Sequence, residues 1–207
     1  MSGLRKRLRP LGSLLRALRS SRRNVLLDVD LDRPLLDIAA PDSILFRPAR
    51  REDVASFLAD ADHEVPARAA SRHMALLATG EPFWVGMLSE RIVYRAWAVR
   101  GGWRIAGPHH LTLGRGKATI LGCFTVADQR GIGIYPAALV AQMRHLKELG
   151  VRRVFINSEE QNTASLRGIE KAGFRRLGVY EVSRLAGRVS LRIEPALRRA
   201  VESDWPE

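Results

Sequence analysis

The sequence predicts an α/β fold: a mixed sheet with helices on both faces. Three observations predict it. Short runs rich in β-branched and aromatic residues alternate with runs of helical period. The stretch "TILGCFTV" (119–126), a helical run over 134–149 and "VRRVFIN" (151–157) make a strand–helix–strand unit. Its right-handed crossover leaves the two strands parallel. "PFWVGMLSE" and "RIVYRAWAVR" meet at a tight turn near Glu90–Arg91, so they are antiparallel.

Along the chain, residues 1–23 come first and hold eight Lys/Arg and no acid. Of the net charge of +12, that leaves +4 to the other 184 residues. Leu4, Leu8, Leu11, Leu15 and Leu18 recur at helical spacing, interrupted by Pro10 and Gly12. Three readings stand for this stretch: a solvated basic tail, an interfacial helix on an anionic membrane, or an organelle transit peptide. Residues 24–42, acidic and apolar with prolines, read as a short strand and linker packed on the domain. The domain boundary is set near Ala40, giving 1–40 as tail and linker, 41–194 as the domain and 195–207 as a terminal helix or fray.

"SILFRPA" (43–49) reads as a strand and 51–62 as a helix. Pro66 opens a second helix through Leu77, closed by Gly80. After the hairpin, Gly101–Gly102 turns the chain, and "HHLTLGRGKA" reads as a loop. Helix 134–149 carries Leu139, Met143 and Leu146 on one face and ends at Gly150. A short helix spans 162–173, and "FRRLGVYEVSRL" and "RVSLRIE" close the sheet. The order β α α β β β α β α β β places helices over both faces.

Composition narrows the function classes. The single cysteine, Cys123, excludes an internal disulfide framework and fits a reducing, intracellular setting. No Cys/His cluster has zinc spacing, so no metal is expected. No apolar run approaches the roughly 20 residues of a membrane span, and the start lacks a secretory signal pattern. A cytoplasmic protein follows, with peripheral membrane contact through residues 1–23 as an open reading. With so much of the charge in a tail, the body does not read as a nucleic-acid enzyme.

"DQRGIGIYPAAL" (128–139) carries the chemistry. It joins a strand to a helix, and a helix start offers unpaired N–H groups and a positive dipole end to an anion. Gly131 and Gly133 let backbone approach that anion, and Arg130 adds a fixed positive charge. Pro136 sits in the first turn, where a missing N–H costs nothing. A dinucleotide fingerprint fails because Pro136 stands where its last glycine belongs. A P-loop fails because Ala118 follows Gly116–Lys117.

About 30 residues on comes "NTASLRGIEKAGF" (162–174). Together the two segments resemble the GNAT superfamily of acyl-CoA-dependent N-acyltransferases. The first resembles its pyrophosphate loop at Arg130, Gly133 and Tyr135. The second resembles its following motif at Asn162, Ser165, Glu170, Lys171, Gly173 and Phe174. The likeness runs from about residue 43 to 193, with residues 1–40 outside it.

The resemblance implies a mainly antiparallel sheet with a splayed parallel pair in its middle. It implies acetyl-CoA as acyl donor and co-substrate, no metal, and an amine acceptor. Backbone N–H groups of Arg130, Gly131, Ile132, Gly133, Ile134 and Tyr135 would hold the pyrophosphate. Phe124, Thr125 and Val126 would pair with the pantetheine arm, with Asn162 and Ser165 opposite. The thioester would lie between "GCFTV" and "VFINS". The family often places a tyrosine, as proton donor to the leaving thiolate, where this chain has Ile169. Tyr135, on the pyrophosphate side, is expected far from the sulfur.

Base and acid candidates are Glu159 and Glu160 at the end of a central strand, His110 with its neighbour His109, and Tyr180 on a later strand. Cys123 reads as a small buried residue. Trp84, Trp97 and Trp103 read first as core and second as pocket. The function expected is transfer of acetyl to a primary amine on a small molecule, amino sugar or protein. The alternative is an inactive acyl-CoA-binding sensor or scaffold, suggested by Ile169. Binding of specific nucleic acid is not expected. A dimer is compatible with the sequence.

Overall fold

The computed structural model describes residues 19–41, 43–60, 74–76, 78–106 and 108–201. The stretch 1–18 and most of the helix expected from Pro66 lie outside these residues. The strands are β1 (Arg19–Asp30), β2 (Ile44–Pro48), β3 (Phe83–Leu88), β4 (Arg91–Arg100), β5 (Gly102–Ala106), β6 (His109–Thr112), β7 (Lys117–Thr125), β8 (Arg153–Glu159), β9 (Arg175–Leu185) and β10 (Arg188–Ile193). The helices are α1 (Arg51–Ala59), α2 (Ile134–Glu148), α3 (Thr163–Lys171) and α4 (Pro195–Ala200).

Eight strands form one sheet in the order β10-β9-β1-β8-β7-β4-β3-β2. Only β7 and β8 are parallel; the other pairs are antiparallel. Helices α2 and α3 cover one face. Leu27, Ile120, Leu139, Met143, Ile156, Leu166 and Ile169 share that core. On the other face, Val54 and Phe57 of α1 pack on Phe83, Val85 and Trp97. Leu197 of α4 and Val201 meet Leu26, Phe155 and Tyr180 there.

Residues 19–30, N-terminal to the boundary set near Ala40, form β1, which lies between β8 and β9. Its Leu26 and Leu27 are fully buried on opposite faces, as in a strand with a neighbour on each side. The tail and linker therefore supply part of the middle of the sheet. The chain then crosses α2 through 31–38, tied by ion pairs of Asp32 with Arg152 (2.7 Å) and Asp37 with Arg144 (2.9 Å). The C-terminal segment is also drawn into the core, with Leu197 against Gly178, where a Cβ would lie 2.8 Å from the leucine Cβ. A correction concerns "HHLT", expected in a loop. It is β6, which pairs with β5 in a separate hairpin.

Among the described residues no helix is long and apolar enough to cross a membrane.

Candidate active site

The site is built by two strands that part. β7 and β8 pair from Lys117↔Arg153 to Ile120↔Ile156 and no further, although β7 runs on to Thr125 and β8 to Glu159. Each parted strand is held by its outer neighbour. β4 follows β7 to Thr125, and β1 follows β8 to Glu159. The divergence begins at a bulge, where the β4–β7 register shifts between Arg95 and Trp97 and Gly122 turns left-handed at φ 67°. Between the parted ends lies a cleft of about 810 Å³, within the range of small-molecule sites.

At one end of the cleft, α2 starts. Gly131 (φ 84°) and Gly133 (φ 93°) both adopt the left-handed conformation that side chains resist, and Gly133 caps the helix. Among the described residues the N–H groups of Gly131, Ile132, Gly133, Ile134 and Tyr135 meet no acceptor. Nothing lies within 4 Å of where a Cβ would stand on either glycine. The loop is thus an open cluster of donors at the positive end of a helix. Arg130 is fixed beside it: its Nε donates to the Thr125 carbonyl at 2.9 Å, and its guanidinium lies over the Phe124 ring. Arg95 of the neighbouring β4 also stacks on Phe124. Burial lowers Arg95 to about 10.

Of the expected binding residues, Phe124, Thr125, Arg130, Gly131, Gly133, Ile134, Tyr135, Asn162 and Ser165 line the cleft. Val126 does not: it is fully buried and donates its N–H to Val93. Ile132 is largely exposed, so its side chain is absent from the lining. Asn162 also caps α3, its Oδ1 accepting from the Ser165 N–H at 3.1 Å. That leaves its amide nitrogen for the cleft.

Arg167 and Lys171, four apart on α3, also line the cleft. Arg167 escaped the sequence reading, and Lys171 entered it only as a motif position, because their spacing is that of any solvated helix face.

The expected acids and bases are elsewhere. Glu159 and Glu160 pair with Arg22 (2.5 Å) and Arg23 (3.0 Å) of β1 and lie outside the lining. Without β1 in the sheet, these carboxylates read as free. Tyr180 is buried against Leu26 and Leu197, with β1 between its strand and β8. Burial alone raises its phenol well above the ordinary value. His110 is exposed on the β5–β6 hairpin, outside the lining. His109 beside it has its Nε2 enclosed, with no hydrogen-bond partner among the described residues. Trp84 and Trp97 belong to the core.

Tyr135 departs most from expectation. Its ring does not crowd the loop. It turns onto α3 and lies against Gly168, where a Cβ would stand 2.6 Å from the ring. Its hydroxyl reaches Ser165 Oγ at 3.5 Å, the long limit of a hydrogen bond, and Cys123 lines the same cleft. Burial pushes the Cys123 thiol up to about 11, which favours its neutral form near pH 7.

A family model described as an acetyltransferase (GNAT) domain matches residues 43–175. Solved structures share the fold. A GCN5-related N-acetyltransferase from Sphaerobacter thermophilus aligns at TM-score 0.58 and 18% identity, over 85% of this chain and 56% of that one. An acetyltransferase of the GNAT family from Colwellia psychrerythraea aligns at 0.57 and 15%, over 89% and 62%. A glucosamine N-acetyltransferase region of a fungal multi-domain GH3 β-N-acetylglucosaminidase aligns at 0.56 and 13%, over 89% and 23%. This chain therefore spans less than two thirds of the length of each of these three structures. No curated protein matches it in sequence.

Proposed function

The chain belongs to the GNAT acetyltransferase family, and on that premise we propose that it transfers an acetyl group from acetyl-CoA to a primary amine on a small molecule, an amino sugar or a protein. One observation carries the reading. The wedge between β7 and β8 ends at five N–H groups, those of residues 131–135, that meet no acceptor among the described residues. A long, thin molecule with a diphosphate at one end and a hydrogen-bonding arm suits that shape. The diphosphate meets the loop, and the arm lies along the open edges of β7 and β8.

Charge supports the same donor. Arg130, Arg167 and Lys171 line the cleft, and no carboxylate or imidazole does so among the described residues. Such a field favours a polyanionic ligand.

The chemistry needs little else. The amine nitrogen attacks the acetyl carbonyl, the C–N bond forms, and the C–S bond breaks with its electron pair leaving on sulfur. Backbone N–H groups of β7 beyond Ile120, free of β8, polarise the carbonyl. With no carboxylate or imidazole in the lining, the proton of the incoming amine passes to water.

The test is to incubate the chain with acetyl-CoA and a panel of amines, including glucosamine and a lysine peptide, while following free thiol. Thiol release that requires one of the amines supports the reading. Tight CoA binding without turnover on any amine would move it to a binding module.

A further inference from the structure

Resting on that reading, we propose that the Tyr135 hydroxyl is the hydrogen-bond donor that meets the departing thiolate sulfur. The group comes from the first turn of α2 rather than from α3.

Three placements carry this. Ile169 is fully buried in the core, so α3 presents no hydroxyl to the cleft at that turn. The residue before it, Gly168, leaves a notch, and the Tyr135 ring fills it at a distance no side chain there would permit. The hydroxyl then lies 3.5 Å from Ser165 Oγ of α3, in the cleft that Cys123 of β7 also lines, at the level where β7 has already left β8. That is the gap in which the reading places the thioester.

The geometry also decides how the group acts. The phenol is partly buried in the cleft wall, and that burial raises its pKa well above the ordinary value. A thiolate resembling free cysteine, near 8.5, is far too weak a base to take its proton. Tyr135 therefore donates a hydrogen bond and keeps the proton. The C–S electron pair stays on sulfur as thiolate, which later takes a proton from water, balancing the proton the amine gave up. Ser165 holds the hydroxyl in place.

The test is the acidity of the CoA thiol while bound. CoA is titrated on the full chain and on Tyr135→Phe, and the thiolate ultraviolet band is followed with pH. A hydrogen bond to a charged acceptor corresponds to about one to two pKa units. The bound thiol is thus expected to be more acidic on the wild type by about that amount, and kcat on Tyr135→Phe to fall by roughly the same 10- to 100-fold. The Phe ring still fills the Gly168 notch, so a merely structural role would leave the bound-thiol pKa unmoved. Equal pKa values in the two proteins would overturn the proposal. If wild type binds no CoA by calorimetry, the acyl-CoA reading itself fails, and this inference with it.

Discussion

The ring of Tyr135 occupies the space a side chain at Gly168 would need, locking the first turn of α2 onto α3 across the cleft. A Cβ at 168 would lie 2.6 Å from the ring's Cδ1 and 3.1 Å from its Cε1. Gly168→Ala therefore sets two effects against each other. Alanine is favoured in a helix by about 1 kcal/mol, and overpacking costs about 1–3 kcal/mol. The expected net change in stability is small and unfavourable, a drop in Tm of a few degrees. The ring must move, so acetyl transfer falls much more than stability does. Calorimetric melting alongside a thiol-release assay separates the two.

Gly133→Ala tests the loop. The glycine sits at φ 93°, and forcing alanine there costs about 1–2 kcal/mol or tilts the turn. Either response misaligns the N–H groups of residues 131–135. CoA affinity should fall at least about tenfold, measured by isothermal titration, with the fold retained by circular dichroism.

Arg167→Ala with Lys171→Ala tests the basic wall. Both residues are exposed, so each contact with a ligand anion is worth about 1 kcal/mol or less. The pair should raise the KM for acetyl-CoA by up to about 30-fold at low salt and leave kcat nearly unchanged. The effect should shrink as salt is added.

Cys123 gives a pH signature. Its folded value, about 11, lies above the model-peptide range, so between pH 9 and 10 the unfolded thiol has lost its proton and the folded one has not. The unfolded state then binds fewer protons, and stability falls as pH rises. The contribution is fully present below pH 9 and is lost toward 11, at up to about 1.4 kcal/mol per pH unit. Wild type should therefore lose stability faster than Cys123→Ala over pH 9–10 in urea unfolding, and the folded thiol should resist alkylation at pH 8.

Leu27→Ala tests the role of β1. The side chain is fully buried with Ile120 and Ile156, so the loss should be about 2–5 kcal/mol, as for any large-to-small change in a core. A surface linker would lose almost nothing.

Much of the fold was legible in the sequence because its parts are local. The strand–helix–strand unit, the β3–β4 hairpin and the glycine loop each have a period or a turn signal of their own. The first half of β1 and its central place in the sheet were not legible, for a physical reason. That half, "RSSRR", is polar and basic, and a strand with that pattern acquires its place from partners more than 120 residues away: Arg23 opposite Glu181, Val25 opposite Ser158. The surroundings of Glu159 and Glu160 were hidden for the same reason. Glu159 and Glu160 look unpaired until β1 brings Arg22 and Arg23 beside them. Tyr135 was misplaced because residue position locates its Cα and not its ring. Only Gly168, an unremarked glycine inside a helix, carried a sign of where the ring goes.

The central claim is that the cleft between β7 and β8 holds acyl-CoA with its diphosphate on the start of α2. An amide-resolved NMR titration of the full chain with CoA tests it most directly. The account predicts saturable shifts concentrated at Gly131, Ile132, Gly133, Ile134 and Tyr135, with the amides of β10 unmoved. Shifts absent from these five amides, or gathered instead around Arg33 and Arg175, which line a separate cavity with Asp28 and Gly173, would contradict it.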